Sequence, residues 1–377
     1  AALATCWPMP YLSEHERERW QRARDEHIEP LRRASPWPLM YPSPLPPEAQ
    51  QTTWITDLGL DFMRRHLDEH PEKPFLCHLS YVDPHDPYDP PEPYAGMFPP
   101  ESMPEPLPAR WLERAPEALL KKRRFAGFER IADDREALRQ LQAYYHGSLR
   151  FIDDQLARLE RFLDERGLRE NTIVVFTSDH GEMLGDHGLI TKGVAHYDKG
   201  VRCPLIVSGP LLAPGQVNDR LLCSLDFFPT FCDWAGLERR PLLEGKSFAA
   251  ACRGDESEGW DSVTVESDHC PDVHPSVRSV LTEDGWRLTV FDEDGGYGEM
   301  FDLSSDPLEA RNLYFDPAWV DKKVALLERH ARAYTRAAQV QQQRNLPIKD
   351  GLPHRVFQGF SLIDDVLVTN AAKSCRS

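Results

Sequence analysis

The sequence predicts an α/β protein, with a mostly parallel sheet sandwiched by helices and a smaller antiparallel part towards the C-terminus. Three observations predict it. PFLCHLSYV at 74–82 and NTIVVFTS at 171–178 are near-continuous apolar runs, the pattern of strands buried on both faces. Residues 135–166 place Leu138, Leu141, Tyr145, Leu149, Ile152, Leu156, Leu159 and Leu163 at helical spacing. Strand, long helix and strand with short connections read as a βαβ unit, which makes the sheet at least partly parallel. From about residue 260 the chain turns to short alternating segments, SVTVES, VRSVLTED, GWRLTVFD and GEMFDL, the pattern of an antiparallel meander.

The remaining elements follow in order. Ser13 with Glu16 forms a capping box, so a helix is expected over 13–34. SPWPLMYPSPLPP at 35–47 is an extended connection. Residues 50–69 read as an amphipathic helix with Trp54, Leu58, Phe62 and Leu67 on one face. Residues 83–116 hold too many prolines for regular structure. The aromatic content of that loop (Tyr88, Tyr94, Phe98, Trp111) predicts a packed, functional loop rather than a disordered one. Gly167 ends the long helix. PLIVS at 204–208 is a third short strand, 225–236 a helix ending at Gly236, and 317–340 a further helix. The tail at 345–377 carries apolar residues that are expected to reach across to another part of the molecule or to build a homo-oligomer.

At 377 residues the chain has room for two or three domains, or for one large domain with an appendage. The expected division is 1–254 as the main domain, 255–344 as an antiparallel sheet with a helix, and 345–377 as the tail. Apolar residues make up 41%, enough for a sizeable core. The net charge of −17 disfavours nucleic acid or an anionic membrane surface as a partner. No run approaches the roughly 18 apolar residues of a membrane span. Residue 1 is Ala, and no basic, then apolar leader follows it, so a processed or shortened chain and a cytoplasmic setting are expected. None of the eight cysteines forms a C-x-x-C pair, and they are read as mostly reduced thiols.

The strongest chemical signal is TIVVFTSDHGE at 172–182. Ligands bind outside the carboxyl ends of parallel strands, and Asp179 and His180 lie just past such an end. A carboxylate beside an imidazole can coordinate a divalent cation. GDHGLITKG follows, placing Lys192 thirteen residues after Asp179. A lysine returning to a metal site can neutralise an oxyanion and steady a leaving-group oxygen. VDPHDPYDPPEPY at 82–94 also starts where an apolar run ends, so His85 emerges on the same side. It could bind an oxyanion or protonate a leaving group. His187 and His196 are candidates for supporting the site from beneath.

Together these segments resemble the sulfatase family of the alkaline-phosphatase-like superfamily. PFLCHLSYVDPHDPYDPP, the stretch from YYHGSLRFIDD to DHGLITKG, and VRCPLIVSGP carry the resemblance, and SLDFFPTFCDWAGL and GEMFDLSSDPLEARNL are similar to later landmarks. The imidazole after the aspartate looks closest to the phosphonate and phosphate monoester hydrolase branch, with bacterial sulfatase branches beside it. The resemblance implies that Asp179 and His180 are metal ligands, that Lys192 binds the sulfuryl or phosphoryl oxygen, and that His85 contacts the substrate and helps the leaving group depart. It implies a structural role for Asp153 and Asp154. It also implies one divalent ion, Ca²⁺ first, with Mn²⁺ or Zn²⁺ as alternatives, and a small anionic ester as substrate.

The chain departs from the family in one respect. Members carry an early Asp pair and then a Cys- or Ser-x-Pro-x-Arg motif whose first residue becomes a formylglycine nucleophile. Cys6, Cys203 and Cys270 each lie near a proline, but none has the motif. The expectation is a metal-dependent hydrolase of sulfate or phosphate/phosphonate esters whose formylglycine belongs to an absent N-terminal segment, with little activity of its own. The alternatives are a non-catalytic relative of the family and a nucleotide phosphodiesterase-type member of the superfamily.

Overall fold

The computed structural model describes residues 13–23, 26, 30, 40–114, 116–238, 244–255, 259–267, 277–291 and 296–344. Helix α1 (Glu14–Ala23) fills the first part of the helix expected over 13–34, and most of the rest of that span lies outside the described residues. The Pro-rich connection is described from Met40. It runs beside the 83–94 loop, where Tyr41 N–H donates to Tyr88 O at 3.2 Å and Ser43 N–H to Pro90 O at 3.0 Å. These bonds satisfy backbone groups that no regular element pairs.

Helix α2 (Gln51–Glu69) forms where the periodicity places it, but a different face goes inside. Thr52, Thr56, Gly59, Leu60 and Met63 are buried, whereas Leu58 and Phe62 stay 42% and 39% exposed. The small residues win because the 74–82 segment lies directly on the helix. A Cβ on Gly59 would sit 2.5 Å from Leu79 Cδ2.

That segment is extended, with Phe75 and Cys77 packed on Leu60, Met63, Phe162 and Leu163. Its alternate residues face outward, Leu76 being 77% exposed. Among the described residues it pairs in no ladder, so the strand expected there, buried on both faces, is not formed. Helix α3 (Glu117–Arg124) follows the Pro-rich loop. The long helix, α4 (Arg135–Glu165), starts at Asp134, whose carboxylate accepts Glu136 N–H at 3.0 Å and Ala137 N–H at 3.1 Å. Such a cap is worth about 1 kcal/mol. Its buried stripe includes Leu138, Leu141, Phe151, Ile152, Phe162 and Leu163.

Strand β1 (Val174–Thr177) pairs antiparallel with β2 (Leu205–Ser208), Val174 opposite Ser208 and Thr177 opposite Leu205. The sequence leaves the direction of this pair open; the parallel pairing it expects is between 74–82 and 171–178. A parallel return needs a crossover back along the sheet. The chain between β1 and β2 is instead a long loop that turns round the site and re-enters in the opposite direction. The α/β class itself stands.

Helix α5 (Phe227–Trp234) corresponds to the helix expected over 225–236. The C-terminal meander forms as predicted, as a four-stranded antiparallel sheet in the order β3 (Ser262–Ser267), β4 (Val277–Thr282), β5 (Trp286–Phe291) and β6 (Gly298–Asp302). Val280 opposes Leu288, and Leu288 opposes Met300. Those three pack with Trp286, Leu313 and Leu326, the last from helix α6 (Val320–Arg344). The other side of the sheet holds the site loop. Val277, Phe291 and Phe301 share one core with Met183, Leu189, Val194 and Tyr197, and with Leu119 of α3.

By its contacts the chain separates into Ala1–Leu327 and Glu328–Ser377, the described part of the latter being the end of α6. The tail at 345–377 lies outside the described residues. Cys77, Cys203, Cys223, Cys232 and Cys252 are free thiols. Among the described residues no helix is long and apolar enough to cross a membrane.

Candidate functional site

Two chain segments meet at the site, each just beyond an extended run. The first turns at His85, whose N–H donates to Val82 O at 3.0 Å. The second leaves β1 at Thr177 and carries Asp179 and His180. It is held against residues 199–200, where Gly181 N–H donates to Gly200 O and Glu182 N–H to Lys199 O, both at 2.9 Å. Position 181 must be glycine, because a Cβ there would lie 2.0 Å from Lys199 O.

Each imidazole is oriented by its own backbone. His85 Nδ1 lies 2.7 Å from Asp86 O, and His180 Nδ1 2.9 Å from Gly181 O. A carbonyl only accepts, so Nδ1 carries the proton in both rings and Nε2 presents a lone pair when the ring is neutral. The two rings stand 6.2 Å apart, centroid to centroid. Lys192 Nζ donates to His85 Nε2, and it lies 3.9 Å from Asp86 Oδ1. Four residues singled out in the sequence, His85, Asp179, His180 and Lys192, are thus brought together, His85 from a segment distant in sequence from the other three.

His187 and His196 are placed elsewhere. His187 is buried and stacked on Tyr197 at 4.0 Å, where burial pushes its imidazole down to about 4. His196 is enclosed between Ser279 Oγ at 2.8 Å and Ser267 Oγ at 2.9 Å, and burial pushes it down to about 3. Both stay neutral; His196 pins the loop to the C-terminal sheet, while the backbone of His187 bonds to Leu107 and to the Trp111 indole. Asp154 accepts from Tyr94 and Arg150, and Asp153 pairs with Arg150.

The sequence reading missed four residues beside the site. Asp86 flanks both His85 and Lys192. Glu182, half-buried and with its carboxyl raised by desolvation, accepts the N–H groups of Leu184 and Thr191. Thr191 is buried, with φ at +63°, and its hydroxyl accepts from the buried ammonium of Lys122. Glu182 and Thr191 stand inside the DHGE and ITKG motifs, where attention to the neighbours would have found them. Lys122 stands in KKRR, which reads as a solvated run.

Asp179 Oδ1 and His180 Nε2 lie 3.6 Å apart, and the Asp179 side chain is 87% exposed. One oxygen and one nitrogen donor at that spacing fit two positions around a single cation. Among the described residues no three His, Cys, Asp or Glu side chains form a group that could hold a metal ion.

A sequence profile of the family described as "Sulfatase" matches residues 14–237, and one described as "N-sulphoglucosamine sulphohydrolase, C-terminal" matches 185–335. The chain is 33% identical over 304 residues to the multifunctional alkaline phosphatase superfamily protein PehA of Trinickia caryophylli, covering 74% of this chain and 58% of that protein. It is 33% identical over 266 residues to an arylsulfatase of Clostridium perfringens, covering 70% and 53%. Among solved structures, the phosphonate monoester hydrolase of Silicibacter pomeroyi superposes with a TM-score of 0.69 at 25% identity, covering 78% of this chain and 62% of that one. The chain spans a little more than half the length of these relatives. The first profile spans more than half of the chain and takes in the Asp179–His180 turn, Lys192 and the His85 loop: the chain belongs to the sulfatase family, in the alkaline-phosphatase-like superfamily.

Proposed function

We propose that the whole protein hydrolyses sulfate esters or phosphate/phosphonate esters with the help of one divalent cation. The observation that carries this reading is the ammonium of Lys192 on His85 Nε2, with the His180 ring 6.2 Å from His85. A cation and a basic pair side by side suit a tetrahedral anionic group. Asp179 and His180 would hold the metal, Ca²⁺ in first place and Mn²⁺ or Zn²⁺ as alternatives. Bound there, the ion would polarise the ester oxygens. Lys192 places a positive charge where the sulfuryl or phosphoryl oxygens gain negative charge. His85, fixed through Nδ1, presents Nε2 and, once protonated, can donate to the departing oxygen. The nucleophile on this reading is a formylglycine supplied by chain outside these 377 residues. The β3–β6 sheet serves as the buttress that holds the Lys192 loop.

The test is hydrolysis by the full-length gene product of an aryl sulfate, a phosphate diester and a phosphonate monoester. His85→Asn and Lys192→Met should each lower kcat by about 10²–10³-fold. Turnover of none of the three ester classes, or variants as fast as the unsubstituted enzyme, would overturn the proposal; the first outcome would favour a non-catalytic relative.

A further inference from the structure

Thr191 immediately precedes Lys192 and is the residue through which the chain turns to point that lysine at His85. Its backbone has φ at +63°, a left-handed conformation that a β-branched residue rarely adopts. A residue held in such a conformation persists only when its surroundings over-determine it. Here all three of its polar groups are held. Its N–H donates to Glu182 Oε1, its carbonyl accepts Met183 N–H at 3.3 Å, and its hydroxyl accepts from Lys122 Nζ.

Lys122 is itself unusual. It is only 4% exposed, on helix α3, in a run of four cationic residues of which its neighbours are more open to solvent. Its ammonium also lies 5.3 Å from the centre of the Phe128 ring. Burial pulls it down to about 8, with Glu182 opposing and Lys192 adding to the fall. A buried amine is costly, and a helix needing only an apolar contact there would be served by leucine or methionine. The nearby carboxylate of Glu182 and the hydroxyl of Thr191 give this one a reason to be inside.

We propose that Lys122 is a positioning residue: with Glu182 it clamps Thr191 in its left-handed turn, and so holds the Lys192 ammonium against His85. Lys122 does not touch the substrate. It acts by fixing the one residue whose conformation sets the direction of Lys192. The chemical consequence rests on the hydrolase reading above, but the clamp itself does not.

Two measurements keep these apart. The first uses the 377-residue chain and needs no activity. Lysines are modified with an amine-reactive reagent and the rate at each site is read by mass spectrometry. Lys199, exposed and outside the clamp, serves as the internal reference. In Lys122→Met and in Thr191→Val, Lys192 should react at least about threefold faster relative to Lys199, because its tether has opened. Lys122→Arg and Thr191→Ser, which keep the donor or the hydroxyl, should restore the original rate. Thr191→Val preserves shape and removes only the hydroxyl, so it decides the matter if Lys122→Met fails to fold. An unchanged Lys192 rate in folded Thr191→Val would overturn the proposal.

The second measurement uses the full-length enzyme. Thr191→Val should lower kcat by about a hundredfold, with a smaller change in KM and rescue by Thr191→Ser. An equal loss in Thr191→Ser would also overturn the positioning role. If no ester is hydrolysed but the labelling pattern holds, the hydrolase reading fails and the clamp stands.

Discussion

His85 and His180 spend the same nitrogen in the same way, each giving Nδ1–H to a carbonyl within one residue of itself. Their useful atoms are therefore fixed by local chain geometry before any ligand arrives. His196 is the opposite case. Both nitrogens are used, and burial keeps the ring neutral. The linkage follows from the directions. His196 and His187 are held at about 3 and about 4, below the roughly 6.5 of a solvated imidazole. The stability they contribute is complete above pH 6.5. It is lost as the pH falls from 6.5 towards those values, at about 1.4 kcal/mol per pH unit for each ring. Glu299, raised by burial to about 7, acts in the other direction and loses its contribution as the pH rises from the ordinary carboxylate range through 7. His196→Gln should lower stability at neutral pH and remove about one proton from the acid dependence. Urea unfolding measured at several values between pH 7 and 4 checks this; a slope equal to that of the unsubstituted chain would mean that His196 is not buried neutral.

Between elements, the decisive contact is that of the C-terminal sheet with the site loop. Arg287 of β5, 1% exposed, pairs with the buried Glu309 and donates to His196 O. Glu309 Oε2 in turn accepts Asp198 N–H at 2.7 Å. A sheet whose alternating pattern looks self-contained thus grips the residues that follow Lys192. Breaking a buried pair strands the other charge. Arg287→Ala should cost about 3–5 kcal/mol, and removing both charges together with Arg287→Leu and Glu309→Leu should cost less. Denaturant midpoints of the single and double variants decide it. A double variant no more stable than the single one would show that the pair is not what holds the sheet to the loop.

For the whole molecule, the candidate metal pair links binding to folding. A ligand that binds only the folded state at a hundred times its Kd adds about 2.7 kcal/mol. Titrating Ca²⁺ or Mn²⁺ should raise the melting temperature of the full-length protein. The rise should vanish in Asp179→Ala and His180→Ala and persist in His196→Gln. An equal rise in all variants would place the cation elsewhere. The net charge of −17 makes the local cations matter. On the proposed reading an anionic ester would approach against that field, and the attraction would come from Lys192, the buried Lys122 behind it and a bound cation.

The sequence by itself marked out most of the elements and singled out the four residues that the fold brings together. The meander beyond residue 260, the long capped helix and the placing of His85, Asp179, His180 and Lys192 at the ends of apolar runs were all legible, because periodicity and motif spacing are local properties. What only the tertiary structure decided were matters of neighbours. Helix α2 buries its threonines and glycine because another backbone lies against it. Strands β1 and β2 run antiparallel because the loop between them turns back rather than crossing over. His187 is buried on the Tyr197 ring and His196 between two serines of the C-terminal sheet. Lys122, which reads as one more surface cation, lies inside because the Glu182 carboxylate and the buried Thr191 hydroxyl meet it there, and no spacing along the chain records that meeting.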